Sequence, residues 1–298
     1  MTCCVVAVCD DGKTIVMIAD RMIGIGIIES EPNISKLREL HKDWWVLFSG
    51  DNISSIFDIM DYAKEQIREI KKREHSDLKS PISLQIAMKV IEDSYQRKRV
   101  NDAETLYLKP IGWDIGTFNA TGKDCLPDFV DIKENIEAYS LPIELLIAGF
   151  SEGNGYLFSL SGSGTEKGIT QRHDVPGFYS VGSGGLGALY MLYYREMSSQ
   201  KPVREAVYYT MEAKLFGEQA GGVGVKTDAY VATADGKFIN LDEKKTIDRT
   251  LVKVWNKLRP HWIGQQSREL LNSIPELDGF PELKKKEKEE TEEKEEKP

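Results

Sequence analysis

Over the first fifty residues the apolar positions come in short runs of β-branched and aromatic residues separated by turn formers: "CVVAV", "TIVMIA", "IGIGIIES" and "WWVLFSG". Such runs predict strands. Val5 to Val8 can pair back on Ile15 to Ala19 across Asp10-Asp11-Gly12-Lys13, which would tie down an end that otherwise frays. The period then changes. From Ile53 to about His75, the residues Ile56, Phe57, Met60, Ala63, Ile67 and Ile70 recur three and four apart, an amphipathic helix capped by Asp51 or Asn52. A second helix is expected from Pro81 to Val100, opened by Ser80-Pro81 and carrying Ile86, Val90, Ile91 and Tyr95 on one face. Residues 101–140, rich in Asp, Gly and Pro, read as an irregular insertion. Strands return with "IELLIAGF", "GYLFSLSG", "KGITQ" and "GFYSVGS". Two helices follow, near Leu186–Ser199 and Pro202–Gln219. "DAYVATADGKFINL" reads as a hairpin turning at Asp235-Gly236, and a last helical stretch is expected from Ile247 to Leu258.

Strands, two helices, strands, two helices, strands is the order. Helices with a single apolar stripe and sheets that need cover on both faces point to two antiparallel sheets packed together, with a helix pair outside each. The class is α+β. With 298 residues the chain can bury a sizeable core. The longest apolar runs, such as "LLIAGF", are too short to span a bilayer, so no membrane association is expected. Asp10 and Asp11 interrupt the first apolar run, which does not fit a signal peptide, and a cytoplasmic location is expected. The net charge of −9 includes a mixed-charge stretch, "KKKEKEETEEKEEKP", that cannot bury itself and is expected to be disordered. Lys and Arg form no patch elsewhere, so nucleic acid is not an expected partner. Four cysteines without a C-x-x-C pair and four scattered histidines suggest neither a disulfide framework nor a metal site. No cofactor is expected.

One ordered set of motifs carries more. The opening strand pair ends in "IAD"; "NISKL", "LFSG" and "YSVGSGG" follow in turn. Asp20 to Lys36 spans sixteen positions and Lys36 to Gly50 fourteen. In these motifs and spacings residues 2 to 240, apart from 101–140, resemble the proteasome β-subunit family of N-terminal nucleophile hydrolases. The resemblance implies a four-layer αββα sandwich over residues 1–245 with an insertion near 101–140, beyond which 246–280 read as a helical extension and 281–298 as a disordered tail. It also implies assembly into a homo-oligomeric ring, a polypeptide or peptide substrate, an ATP-dependent unfoldase as partner, and amide hydrolysis by a free N-terminal residue. On that resemblance Asp20 and Lys36 are the catalytic acid and lysine, Gly50 the oxyanion donor and Ser183 the serine of the glycine-rich loop.

The chemistry accounts for these residue types. A Thr hydroxyl is a weak nucleophile until a base takes its proton. A free α-amine, with an unperturbed pKa of about 7.7–8.0, can be that base near neutral pH. A lysine ammonium beside it disfavours the protonated amine and stabilises the developing alkoxide. Asp20 would neutralise and orient that lysine. One backbone N–H at the oxyanion is worth roughly 2.7–4 kcal/mol. Outside this set, Asp20 and Lys36 could be an ordinary ion pair, Gly50 a turn residue and Ser183 a helix cap.

Three residues can be the attacker. Counting back from Asp20 by the family spacing reaches Cys4, and matching "CCVVAV" to the family's first strand reaches Cys3. Thr2 needs only the removal of Met1. Choosing Thr2 lengthens the first hairpin by one residue in each arm, which keeps Thr2, Cys4 and Val6 on one face. Thr2 is therefore read as the nucleophile, with Cys3 as the alternative.

The chain also departs from the family. Where an Asp and a Ser three apart usually follow the last long helix, it has Gly217-Glu218-Gln219-Ala220 and then Gly221-Gly222. The usual Ser after the catalytic Asp is missing in Asp20-Arg21. A non-catalytic ring subunit and an amidase for a small substrate are the alternative functions. "GSGGLG" at 182–187 fits a dinucleotide signature, but another helix follows where a strand would be needed.

Overall fold

The first hairpin forms because Val, Ile and Met dominate two arms whose residues are all buried. In a computed structural model of the chain, β1 (Cys4–Cys9) pairs with β2 (Thr14–Asp20) in the register Val5↔Ile18 and Val8↔Ile15. The turn between them is closed by bonds from Gly12 N to Cys9 O and from Lys13 N to Asp10 O. The structure describes residues 2–25, 28–30, 35–50, 52–78, 80–163, 167–241, 251–253 and 255. The chain divides into two units, Met1–Leu251 and Val252–Pro298, and the first holds both sheets. Residues 251–253 and 255 are helical, and the rest of the expected 246–280 extension and the 281–298 tail lies outside the described residues.

After β2 come the short β3 (Ile23–Ile25) and β4 (Ile28–Ser30), which pair with each other. Next are β5 (Leu37–His41) and β6 (Trp44–Gly50), then the helices α1 (Ile53–Arg73) and α2 (Leu84–Ala103). Helices α3 (Ile115–Cys125) and α4 (Phe129–Ala138) precede the strands β7 (Ile143–Ser151), β8 (Asn154–Ser161), β9 (Thr170–Arg172) and β10 (Phe178–Val181). Helices α5 (Gly185–Tyr194) and α6 (Val203–Gly217) lead to the hairpin of β11 (Thr227–Thr233) and β12 (Phe238–Asn240). Two five-stranded antiparallel sheets result, in the orders β10-β1-β2-β11-β12 and β5-β6-β7-β8-β9.

Alternation along each strand gives each sheet two apolar faces. Cys4, Val6, Val8, Met17 and Ala19 of the first sheet meet Leu47, Leu146, Ala148 and Leu157 of the second, forming the layer between the sheets. The outer face of the second sheet, with Trp44, Val46, Leu145 and Phe158, packs on Ile56, Ile59, Ile67, Val90 and Ile91 of α1 and α2. Helix α6 lies against β1 and β2, and α5 against α6 and β10. This is the expected four-layer α+β sandwich.

Local details differ from the sequence reading. Asn52 caps α1 by accepting from Ser55 N; Asp51 lies outside the described residues. Helix α2 starts three residues beyond Pro81 because Ser83, not Ser80, accepts from Ile86 N. Helix α5 stops at Tyr194, short of Ser199, with Glu196 at φ 49°. The expectation of an irregular 101–140 is corrected: a π-helical turn at Glu104–Leu108 and a 3-10 turn at Lys109–Ile111 lead into α3 and α4. The residues that look like breakers act as punctuation. Gly112 closes the 3-10 turn at φ 78°, and Asp114 caps α3 through Thr117 N. Ala103, Leu108, Phe118 and Ile136 give the segment a small core of its own.

Candidate active site

The end of β2 places a carboxylate where four donors converge. Asp20 is fully buried. Its Oδ1 accepts from Cys3 N at 2.8 Å, and its Oδ2 from Met22 N at 2.9 Å and Gly224 N at 3.1 Å. Lys36 Nζ donates to both oxygens, at 3.0 and 3.1 Å. A buried charge with this many partners is fully satisfied, which an ordinary strand-edge ion pair does not require.

Lys36 lies immediately before β5 and is 3% exposed. Besides Asp20, its Nζ hydrogen-bonds to the Thr2 Oγ1 hydroxyl. Thr2 is held at both ends of its backbone. Its N donates to Ser183 Oγ at 3.1 Å, and its carbonyl accepts from Gly184 N at 3.0 Å. Ser183 therefore does not serve as the cap of α5: the cap residue is Gly184, with no side-chain cap bond. The loop can approach because position 182 is glycine. It sits at φ +94°, and a Cβ there would come within 2.3 Å of Thr2 O.

Gly50 ends β6 opposite Ile143 and lines, with Thr2, Lys36 and Phe48, a hollow of about 10 Å³. At φ +149°, an added Cβ would meet Pro142 O and Ile143 Cγ2 at 2.9 Å. Only glycine fits. The structure thus brings Thr2, Asp20, Lys36, Gly50 and Ser183 together from a distance of up to 181 positions along the chain.

Cys3 and Cys4 lie elsewhere. The Cys3 side chain packs on the helix-facing side, close to Gly184 and Gly217, where burial, and after it the Asp20 carboxylate, pushes the thiol up to about 12. Cys4 joins the layer between the sheets, and burial pushes its thiol up as well.

Two contributors escaped the sequence reading. Gly224, on the loop after α6, donates to Asp20 across 204 positions. Lys214 of α6, fully buried, holds that loop by donating to Glu218 Oε1 at 2.5 Å, Gly224 O at 2.8 Å and Val225 O at 3.2 Å. Glu218 thus pairs with a lysine one helical turn back. An i, i+4 Lys–Glu spacing on a helix end was the available signal, but nothing in the sequence says that it is buried. Among the described residues no group of three or more His, Cys, Asp or Glu could hold a metal ion, and no helix is long and apolar enough to cross a membrane.

No family model matches the chain, and no curated protein sequence matches it. Among solved structures it is similar to a Gly-1 mutant of Anbu from Hyphomicrobium sp. strain MC1, at 14% identity and a TM-score of 0.58. The match covers 92% of this chain and 98% of that one. At such identity the likeness shows the fold alone, two antiparallel sheets flanked by helices.

Proposed function

We propose that the protein is an amide-bond hydrolase of the N-terminal nucleophile type, with Thr2 as attacker and general base once Met1 is removed. The observation that carries this reading is the single lysine nitrogen shared between the Thr2 hydroxyl and both Asp20 oxygens. The Cys3 side chain packs instead near Gly184 and Gly217, which favours Thr2 over the alternative Cys3.

In the first half-reaction Thr2 Oγ1 attacks the substrate carbonyl carbon while its proton passes to the Thr2 α-amine. Gly50 N–H stabilises the resulting oxyanion. Lys36 favours the neutral amine before attack and the alkoxide as it forms. The C–N bond then breaks, and the leaving nitrogen takes the proton from the Thr2 ammonium. In the second half a water gives its proton to the same amine and attacks the ester on Oγ1. The acid is released and Oγ1 regains its proton. Ser183 orients the amine throughout. The substrate is a polypeptide or peptide, and a homo-oligomeric ring fed by an ATP-dependent unfoldase is the assembly this reading carries with it.

Intact mass together with an electrophilic probe for N-terminal Thr tests the reading. The expected result is a chain lacking Met1 that gains one probe at Thr2 and hydrolyses peptides. A chain that keeps Met1 and takes up no probe would refute it. That outcome would favour a second reading, a non-catalytic ring subunit, for which the burial of Thr2 at 2% exposure over a hollow of about 10 Å³ speaks.

A further inference from the structure

Next to the hollow over Thr2 lies a wider cleft of about 380 Å³, and the two share Ser49 and Gly50. Ser183, which accepts from Thr2 N, forms part of its wall. In the reaction proposed for Thr2, its nitrogen hands the proton to the leaving amine, so that amine must depart on the nitrogen's side. This is the side of the cleft.

Among the described residues lining the cleft, Glu144 alone is charged. It continues the face of β7 that carries Leu146, Ala148 and Phe150, so the apolar layer between the sheets ends in a carboxylate at its open edge. Glu144 Oε2 accepts from Gly182 N at 2.7 Å, linking the second sheet to the loop that holds Thr2. Its other oxygen has no hydrogen-bond partner among the described residues, and the residue lines the cleft. A half-buried carboxylate with one free oxygen in a roomy cleft attracts a cation more strongly than a fully exposed one.

We propose that this cleft takes the leaving-group side of the substrate and that Glu144 selects a Lys or Arg side chain just after the scissile bond. The inference rests on the hydrolase reading for the cleft's direction, not for its charge preference.

Fluorescence-quenched peptides differing only in the two residues after the scissile bond test it, with Lys, Arg, norleucine or Glu there. Wild type is expected to favour Lys and Arg over norleucine by about tenfold in kcat/KM, with Glu lowest. In Glu144→Gln the amide oxygen still accepts Gly182 N–H while the charge is gone, so the Lys-to-norleucine ratio should fall to about one. Glu144→Lys should invert the order. The chain's overall negative charge attracts cationic peptides in general, and an unchanged ratio in Glu144→Gln would assign the preference to that field and overturn the proposal.

Binding of the same peptides to Thr2→Ala, followed by fluorescence anisotropy, separates the two ideas. Tighter binding of the Lys peptides, lost on adding Glu144→Gln, supports the charge selection even if wild type hydrolyses nothing, in which case the hydrolase reading alone falls. Hydrolysis with no charge preference in either assay overturns this proposal alone.

Discussion

Lys36→Met separates the buried lysine's part in stability from its part in chemistry. Methionine keeps most of the side-chain length but leaves Asp20, fully buried, without its cation. Removing one partner of a buried ion pair costs about 3–5 kcal/mol. The three backbone donors that remain, from Cys3, Met22 and Gly224, hold the carboxylate and keep the cost near the lower end of that range. A domain with a stability of about 5–15 kcal/mol survives this. Turnover should fall further than stability implies, by at least about 10²-fold, because the lysine is in contact with the attacking oxygen. The assay pairs urea unfolding midpoints with peptide hydrolysis by the processed chain. Adding Asp20→Asn to Lys36→Met removes the orphaned charge but turns an amide NH2 towards one of those backbone donors, so it should recover only part of the stability while the activity stays lost. Turnover of Lys36→Met within about threefold of wild type, a difference under about 1 kcal/mol, would refute the role assigned to Lys36. Recovery of activity along with stability in the double variant would refute it equally.

Cys3→Ala should keep peptide hydrolysis and lose about 1 kcal/mol for the small void left against Gly184 and Gly217; loss of probe labelling in this variant would move the attack to Cys3. Lys214→Met should destabilise the chain by roughly 3 kcal/mol and free the loop that brings Gly224 N–H to Asp20. Hydrogen exchange at Gly224 reads this directly, and unchanged protection would contradict the anchoring role. His173, whose Nε2 lies 2.7 Å from Ser159 Oγ, is held neutral by burial down to about 4 despite the nearby Asp174. An unfolded histidine protonates near about 6.5, so the unfolded chain takes the proton first and stability is lost as pH falls from about 6.5 towards 4. His173→Gln should lessen that acid loss, measured as unfolding midpoint against pH; an identical slope would show that His173 does not contribute to it.

Much of the fold was legible because one period governs each element. Val5–Val8 on Ile15–Ala19 and the stripe from Ile56 to Ile70 each have a single economical partner face. The sequence was misleading where one residue type serves two purposes. Asp114 and Gly112 look like loop formers, yet they start and stop helical turns, and whether such residues break or cap depends on the segments packed around them. At the candidate site, Asp20, Lys36 and Gly50 were legible through the family resemblance, whose spacings they match. Glu144, Lys214 and Gly224 were not.

The sequence by itself determined the alternation that makes two two-faced sheets and four amphipathic helices to cover them, since burying apolar faces leaves few arrangements. It also put a hydroxyl and two thiols side by side at residues 2–4. Only the tertiary structure separated those three. Strand alternation sends Cys3 beneath the helices and Cys4 between the sheets, and pairing across the sandwich brings Lys36 Nζ to the Thr2 hydroxyl. Such a choice depends on which groups from distant segments meet at one strand end, and a one-dimensional pattern does not carry that information.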